Sequence, residues 1–217
     1  SFLIRQGKVC INESVVVKKD AKVNTGDRVT YEGKVLEYHK YTYIMLYKPQ
    51  GVVSAVHDKN DVTVCDLIHD YNHLHPVGRL DKDTEGLLLL TNNGPLTHHL
   101  TSPNKKVTKT YYVVLKEAIS DNVIDRFEEG INLYDGKGKP YKSMPACLRR
   151  IDEKTCNVDI LEGKYHQVKK MFKQCNNEVL YLKRVSMGSL HLDKALKPGD
   201  YRMLSEKEIT QILEDSF

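Results

Sequence analysis

Short apolar runs bounded by glycine, proline and polar clusters recur along the chain, and helical periodicity is confined to a few stretches. Val-based strands are expected at Gly7 to Ile11, Val15 to Val17 and Asp27 to Tyr31, with Gly26 and Gly33 at turns. They make residues 1–37 a small Lys-rich module. A polar bridge at about 37–41 leads to Tyr43 to Tyr47, an apolar run suited to a buried strand. The Lys48-Pro49-Gln50-Gly51 turn then introduces a predicted strand at Val52 to Val56. Leu87 to Leu90 reads as another buried strand. Leu96 to Leu100 reads as a short helix stopped by Ser102 and Pro103, and Thr110 to Leu115 as a strand. A helix over Ser120 to Glu129, a Gly-rich loop over Gly130 to Pro140, and strands at Ala146 to Ile151 and Cys156 to Leu161 follow. The helix Glu206 to Leu213 opens with Ser205 and Glu208 in capping-box spacing.

One stretch separates two faces. From Glu162 to Cys175, Val168, Met171, Phe172 and Cys175 fall on one side of a helix, and His166, Lys169, Lys170 and Lys173 on the other. Such a helix packs inward and turns cations outward. Most such helices are only solvated surface, so the pattern permits a polyanion partner without requiring one.

Composition narrows the class. The chain has 217 residues, 40% hydrophobic and 29% charged, enough for one sizeable core plus a satellite module. Its net charge of +4 is mild, so the placement of the basic residues matters more than their number. No apolar stretch is long enough to span a bilayer and no secretory pattern opens the chain, so a cytoplasmic protein is expected. The five cysteines are scattered and never form a Cys-x-x-Cys pair, which predicts free thiols. Cys65, His69, His73 and His75 are zinc-type residues, but their spacing does not suit one helical face. Asp81, Asp83 and Glu85 alternate like calcium ligands without the rest of a calcium loop, and no metal is expected.

The most informative segment is Gly78-Arg79-Leu80-Asp81-Lys82-Asp83-Thr84-Glu85-Gly86 followed by Leu87 to Leu90 and Thr91-Asn92-Asn93-Gly94. It sets a charged loop, with glycines at its turns, directly before a buried strand. By its chemistry alone it is most simply an acidic surface turn. It resembles, however, the Gly-Arg-Leu-Asp-x-x-Thr-x-Gly-Leu-Leu-Leu-Leu-Thr-Asn-Asp-Gly signature of the RsuA family of pseudouridine synthases, differing at Asn93, where the family has Asp. Lys48-Pro49-Gln50-Gly51 matches that family's Lys-Pro-x-Gly motif, Lys109-Thr110-Tyr111 its Lys-x-Tyr motif, and Glu162 to Met171 its Glu-Gly-x-x-x-Gln-Val-Lys/Arg-x-Met motif. Gly7, Lys8, Val9 and Asn12 resemble the latter part of an alpha-L RNA-binding domain whose opening helix is missing, so residues 1–37 are expected to be a truncated or partly seen module.

The resemblance implies an α+β fold with a mixed, mostly antiparallel sheet and flanking helices, the catalytic domain spanning 42–217. It implies isomerisation of a uridine in 16S rRNA to pseudouridine, since the wording around His166 is closest to the small-subunit branch. The alternatives are a large-subunit (23S) rRNA enzyme and a non-catalytic RNA-binding ribosome-assembly factor. Asp81, Tyr111 and Lys169 are the expected catalytic residues: Asp81 acts on the ribose, Tyr111 stacks on the flipped uracil, and Lys169 supplies a cation that favours the carboxylate in a partly desolvated pocket. Adjacent Tyr112 competes with Tyr111 for that role, because strand alternation sends the two to opposite faces. RNA contacts are expected from Arg79, Lys48, Lys105, Lys106, Lys109, Lys164, His166, Gln167, Lys170 and Lys173. The substrate is 16S rRNA or a small-subunit assembly intermediate, the protein a monomer, and no cofactor is expected.

Overall fold

The computed structural model describes residues 2–24, 26–36, 40–69, 71 and 73–215. The polar bridge expected at about 37–41 falls partly on residues 37–39, outside the described residues. The chain divides into two compact units, residues 1–40 and 41–217.

The first unit opens with one helical turn, α1 (Phe2–Arg5). An antiparallel sheet follows in the order β2 (Ser14–Val15), β1 (Val9–Ile11), β3 (Val29–Tyr31), β4 (Lys34–Val35). None of its described residues is fully buried, which fits a sheet too small to enclose a core. Polar side chains hold it instead. Asn12 bridges Asp27 and the Arg28 amide, Asp27 accepts from the Asn24 amide, and Lys8 pairs with Glu32 at 2.7 Å.

The second unit is built on one sheet in the order β11 (Cys147–Arg150), β12 (Thr155–Ile160), β8 (Lys109–Leu115), β13 (Val179–Met187), β7 (Glu85–Thr91), β5 (Tyr43–Lys48), β15 (Tyr201–Met203). The short strands β14 (Leu190–His191) and β6 (His75–Pro76) pair with β13 and β7. Of these pairings only β13 with β7 is parallel, so the sheet is mixed and mostly antiparallel, as the α+β reading requires. That parallel seam lies mid-sheet and fixes Gly86. A Cβ there would lie 2.2 Å from the Arg184 carbonyl oxygen, and φ is +109°, so no other residue fits the seam.

Two cores coat the sheet. On one face, Ile44, Leu46, Leu88, Leu90, Tyr111 and Val113 pack under α3 (Asp121–Glu129) and α4 (Gln167–Gln174), where the Phe127 and Phe172 rings lie 4.8 Å apart. On the other, Met45, Leu87, Leu89 and Met187 pack with α2 (Gly94–Thr101) and α5 (Glu206–Glu214). The alternation along β5 and β7 thus serves both faces, and so their sequences read as unbroken apolar runs. α5 carries the capping box expected from Ser205 and Glu208.

Two expectations fail. Residues 52–56 form no strand: the chain turns back on itself, with the Val53 carbonyl accepting from Ala55 and Val64 and only an isolated bridge joining Val53 to Thr63. The Gly-rich stretch holds a hairpin, β9 (Asn132–Tyr134) with β10 (Pro140–Lys142). β13 escaped the sequence pattern because Lys183 and Arg184 interrupt its apolar run. Among the described residues no helix is long and apolar enough to cross a membrane.

Candidate active site

Asp81 sits on the loop that enters β7, and the loop is fixed mainly through its backbone. The Thr84 amide donates to the Asp81 carbonyl at 3.0 Å, closing a turn around Lys82 and Asp83. The Ser54 hydroxyl donates to the Leu80 carbonyl at 2.9 Å and accepts from the Leu80 amide at 3.0 Å. Below, fully buried Lys48 donates to the carbonyls of Pro49 (2.9 Å), Thr84 (2.9 Å) and Lys82 (3.4 Å), and the Gly51 amide adds a bond to Lys82. The Lys48-Pro49-Gln50-Gly51 turn is therefore the bracket under the Asp81 loop. Burial pushes the Lys48 amine down to about 8, although Asp83, Asp81 and Glu85 pull it back up.

An open cleft lies above this loop, lined by Arg79, Leu80, Asp81, Thr84, Tyr111, Ile160, Gly163, Lys164, His166, Gln167, Val168 and Leu182. Tyr111 presents its ring here from β8, whose alternating burial also resolves the Tyr111 and Tyr112 ambiguity. Tyr112 turns to the opposite face and meets Tyr181 edge-on at 6.3 Å.

The far wall is the loop 161–166 and the start of α4. Val168, Met171 and Phe172 are buried, as the periodicity predicts. His166 caps the helix in a left-handed conformation, φ 52°, which brings its ring over the cleft. Its Nε2 lies 3.5 Å from Asp81 Oδ1, and its ring stacks on Tyr165 at 3.8 Å. Lys169 Nζ lies 3.3 Å from Asp81 Oδ2 and 2.5 Å from Asp83 Oδ1. The Lys169 hydrogen bond holds the Asp83 carboxyl below the usual carboxylate range.

The structure thus lines one cleft with Asp81 and Tyr111, beside Arg79, Lys164 and His166, and sets Lys169 of α4, 88 residues further along the chain than Asp81 (169 less 81), against the Asp81 carboxylate. It does not bring every expected RNA contact there. Lys48 is a buried brace rather than a surface cation. Lys109 is buried too, donating to the Val107 carbonyl, and burial with help from nearby Arg184 pushes its amine down to about 8. Gln167 reaches the cleft lining but is buried and spends its amide on the loop, donating to Glu162 at 2.8 Å and accepting from the Lys164 amide at 3.0 Å. Lys105 and Lys106 are exposed on the turn after α2, outside the cleft lining, and Lys173 is exposed on α4. Lys170 donates to the Tyr134 carbonyl of the hairpin at 2.8 Å. Asn93 caps α2 and donates to the Tyr43 hydroxyl at 2.9 Å, a pair of bonds that uses both ends of its amide.

Sequence reasoning gave no role to Asp83 or Glu162. The signal for Asp83 was its place two residues from Asp81 across a tight turn. Glu162 accepts from Gln167 and from the Met144 amide, and stood in the same motif as Lys169. Among the described residues no group of three or more His, Cys, Asp or Glu side chains is placed to hold a metal ion.

Known proteins resemble this chain in sequence and in fold. The sequence profile described as RNA pseudouridylate synthase matches residues 42–174. An uncharacterized RNA pseudouridine synthase of Bacillus subtilis is 44% identical over 216 positions, covering 95% of this chain and 88% of that protein. Ribosomal small subunit pseudouridine synthase A of Vibrio cholerae is 39% identical over 212 positions, covering 97% and 90%. A crystal structure of a pseudouridylate synthase superposes with a TM-score of 0.73 at 36% identity, covering 97% of this chain and 91% of that one. With the profile, the near full-length relatives and the fold in accord, the chain belongs to the RNA pseudouridylate synthase family, in its RsuA-like branch.

Proposed function

We propose that this pseudouridine synthase modifies one uridine of 16S ribosomal RNA, free or in a partly assembled small subunit, and that Asp81 carries the chemistry. The observation behind the catalytic assignment is that Asp81 and Tyr111 line one cleft while Lys169, from α4, reaches Asp81 at 3.3 Å. The RNA target is suggested by the relatives that share nearly the whole chain and are named as small-subunit enzymes, in Vibrio cholerae and, at 37% identity, Escherichia coli.

The uridine must leave the stack before its base can turn, and Arg79 at the lip of the cleft is suited to hold the strand it vacates. Tyr111 then takes the face of the uracil. Asp81 acts on the ribose, either by attacking C1′ or by removing the C2′ proton to give a glycal, a proton it returns to C2′ when C5 joins C1′. The bond from N1 to C1′ breaks, the base turns within the cleft, and C5 joins C1′. C5 then loses its proton to Asp81 or to the Tyr111 hydroxyl, and N1 ends protonated. Every bond made or broken lies within one nucleotide, so the balance needs no electron acceptor or group donor. Lys169 and His166 flank Asp81 and offset the cost of holding its charge in a half-closed site.

The first unit serves in this reading as a weak RNA-binding module of alpha-L type, and the enzyme acts as a cytoplasmic monomer. Tritium release from rRNA labelled at uracil C5 tests the proposal, with small- and large-subunit RNA each presented free and in partly assembled particles. Release from small-subunit substrate alone is the expected result. Release from large-subunit RNA would keep the reaction and replace the target.

A further inference from the structure

Lys169 is shared unequally between two carboxylates of one turn. Its ammonium lies 2.5 Å from Asp83 Oδ1 but 3.3 Å from Asp81 Oδ2. Lys82, between them in sequence, faces away and pairs with Asp61 at 2.6 Å. The Asp83 side chain is 73% exposed and the Asp81 side chain 24%, so the stronger contact goes to the more solvated carboxylate. A second carboxylate at the mouth of a cleft that takes a polyanion weakens substrate binding by repulsion. Its position is understandable if it does something for the reaction.

We propose that Asp83 is a positioning residue that tethers Lys169 just short of Asp81, so that the cation steadies the Asp81 charge without closing into a tight ion pair on the oxygen that must act on the ribose. The inference rests on Asp81 being the catalytic carboxylate. A charge-assisted contact near 2.8 Å directs the acceptor's lone pairs at its partner. At 3.3 Å the Coulombic benefit remains while that lone pair stays available. The tether runs from the turn closed by the Thr84 amide to the first turn of α4, so the separation is set by two anchored elements. Without Asp83, Lys169 keeps Asp81 as its one carboxylate partner among the described residues and closes on it.

This arrangement predicts opposite signs for rate and affinity in Asp83→Asn. Single-turnover conversion of C5-tritiated 16S rRNA should slow about ten- to hundredfold, the scale of a misplaced catalytic group. Affinity for the same RNA, measured by filter binding, should tighten about two- to fivefold, the worth of one partly exposed charge. Asp83→Glu, which keeps the charge, should recover most of the rate. An Asp83→Asn enzyme as fast as wild type overturns the proposal, and so does one that loses rate and affinity together, which would mark Asp83 as merely structural. Asp81→Ala run alongside separates the two layers. If it is slow while Asp83→Asn is fast, this inference alone falls; if Asp81→Ala is as fast as wild type, the assignment of Asp81 falls and takes this inference with it.

Discussion

The two walls of the cleft are held in different ways. The Asp81 wall is fixed from behind by main-chain bonds to buried donors, with Lys48 and Ser54 gripping the carbonyls of Leu80, Lys82 and Thr84. The Lys169 wall is fixed by side chains: Gln167 and Glu162 knot the loop, and Lys164 rides over the Tyr141 ring at 3.5 Å. A carboxylate that meets the reacting carbon needs a rigid mount, whereas cations that follow a phosphate backbone work from longer, adjustable side chains. The contrast makes Lys48 a structural part of the catalytic wall.

The sharpest way to break this comparison is to remove the brace. Lys48→Met strips a donor from three carbonyls, and buried acceptors left unmet cost roughly 1–3 kcal/mol each when nothing else reaches them. Differential scanning calorimetry should show the melting point falling by roughly 5 °C or more. Turnover at a temperature where the variant is folded should drop about a hundredfold as the Asp81 loop drifts. A variant that melts like wild type and keeps its rate would show that the loop does not depend on Lys48.

A smaller effect is expected at Tyr111. Tyr111→Ala removes the ring from the cleft and should lower kcat/KM by about ten- to a hundredfold, matching a stacking contribution of roughly 1–3 kcal/mol. Tyr111→Phe keeps the ring and removes the hydroxyl. A Phe variant near wild type assigns the final C5 deprotonation to Asp81, and one as slow as Ala assigns it to the Tyr111 hydroxyl.

Much of this was legible in the sequence, and for physical reasons. The apolar runs at 43–47 and 87–90 mark strands buried on both faces, and the 3.6-residue period of Val168, Met171 and Phe172 marks the inward side of α4. The signature around Asp81 and the motif around Lys169 located both walls. Burial of charged and polar residues was not legible. Lys48, Lys109 and Gln167 look like surface groups in a sequence, and only the packing shows that each spends its polar atoms on the protein itself. β13 was hidden for the same reason, since Arg184 is an interior residue that donates to the Leu87 carbonyl at 2.8 Å across the parallel seam.

Lys109 gives the smallest and most specific check. Its folded amine is pushed down to about 8 from an ordinary 10.5, so the folded state binds fewer protons than the unfolded chain between those values. Stability from this group therefore rises as pH climbs from about 8 toward 10.5, and is lost as pH falls back through 8. Lys109→Met should remove this group's share of the rise from urea-denaturation curves, a difference on the order of 3 kcal/mol at most, and leave the share that buried Lys48 contributes over the same range. It should leave RNA affinity unchanged, because the amine does not face the cleft. Weakened RNA binding with an intact pH slope would return Lys109 to the RNA surface.

The account turns on Asp81, and its amide variant tests it most directly. Single-turnover isomerisation by Asp81→Asn, measured beside RNA affinity, should fall by about 10⁴-fold or more, with affinity within about twofold of wild type. Isomerisation at the wild-type rate would contradict the assignment and send the search for the catalytic group elsewhere in the cleft.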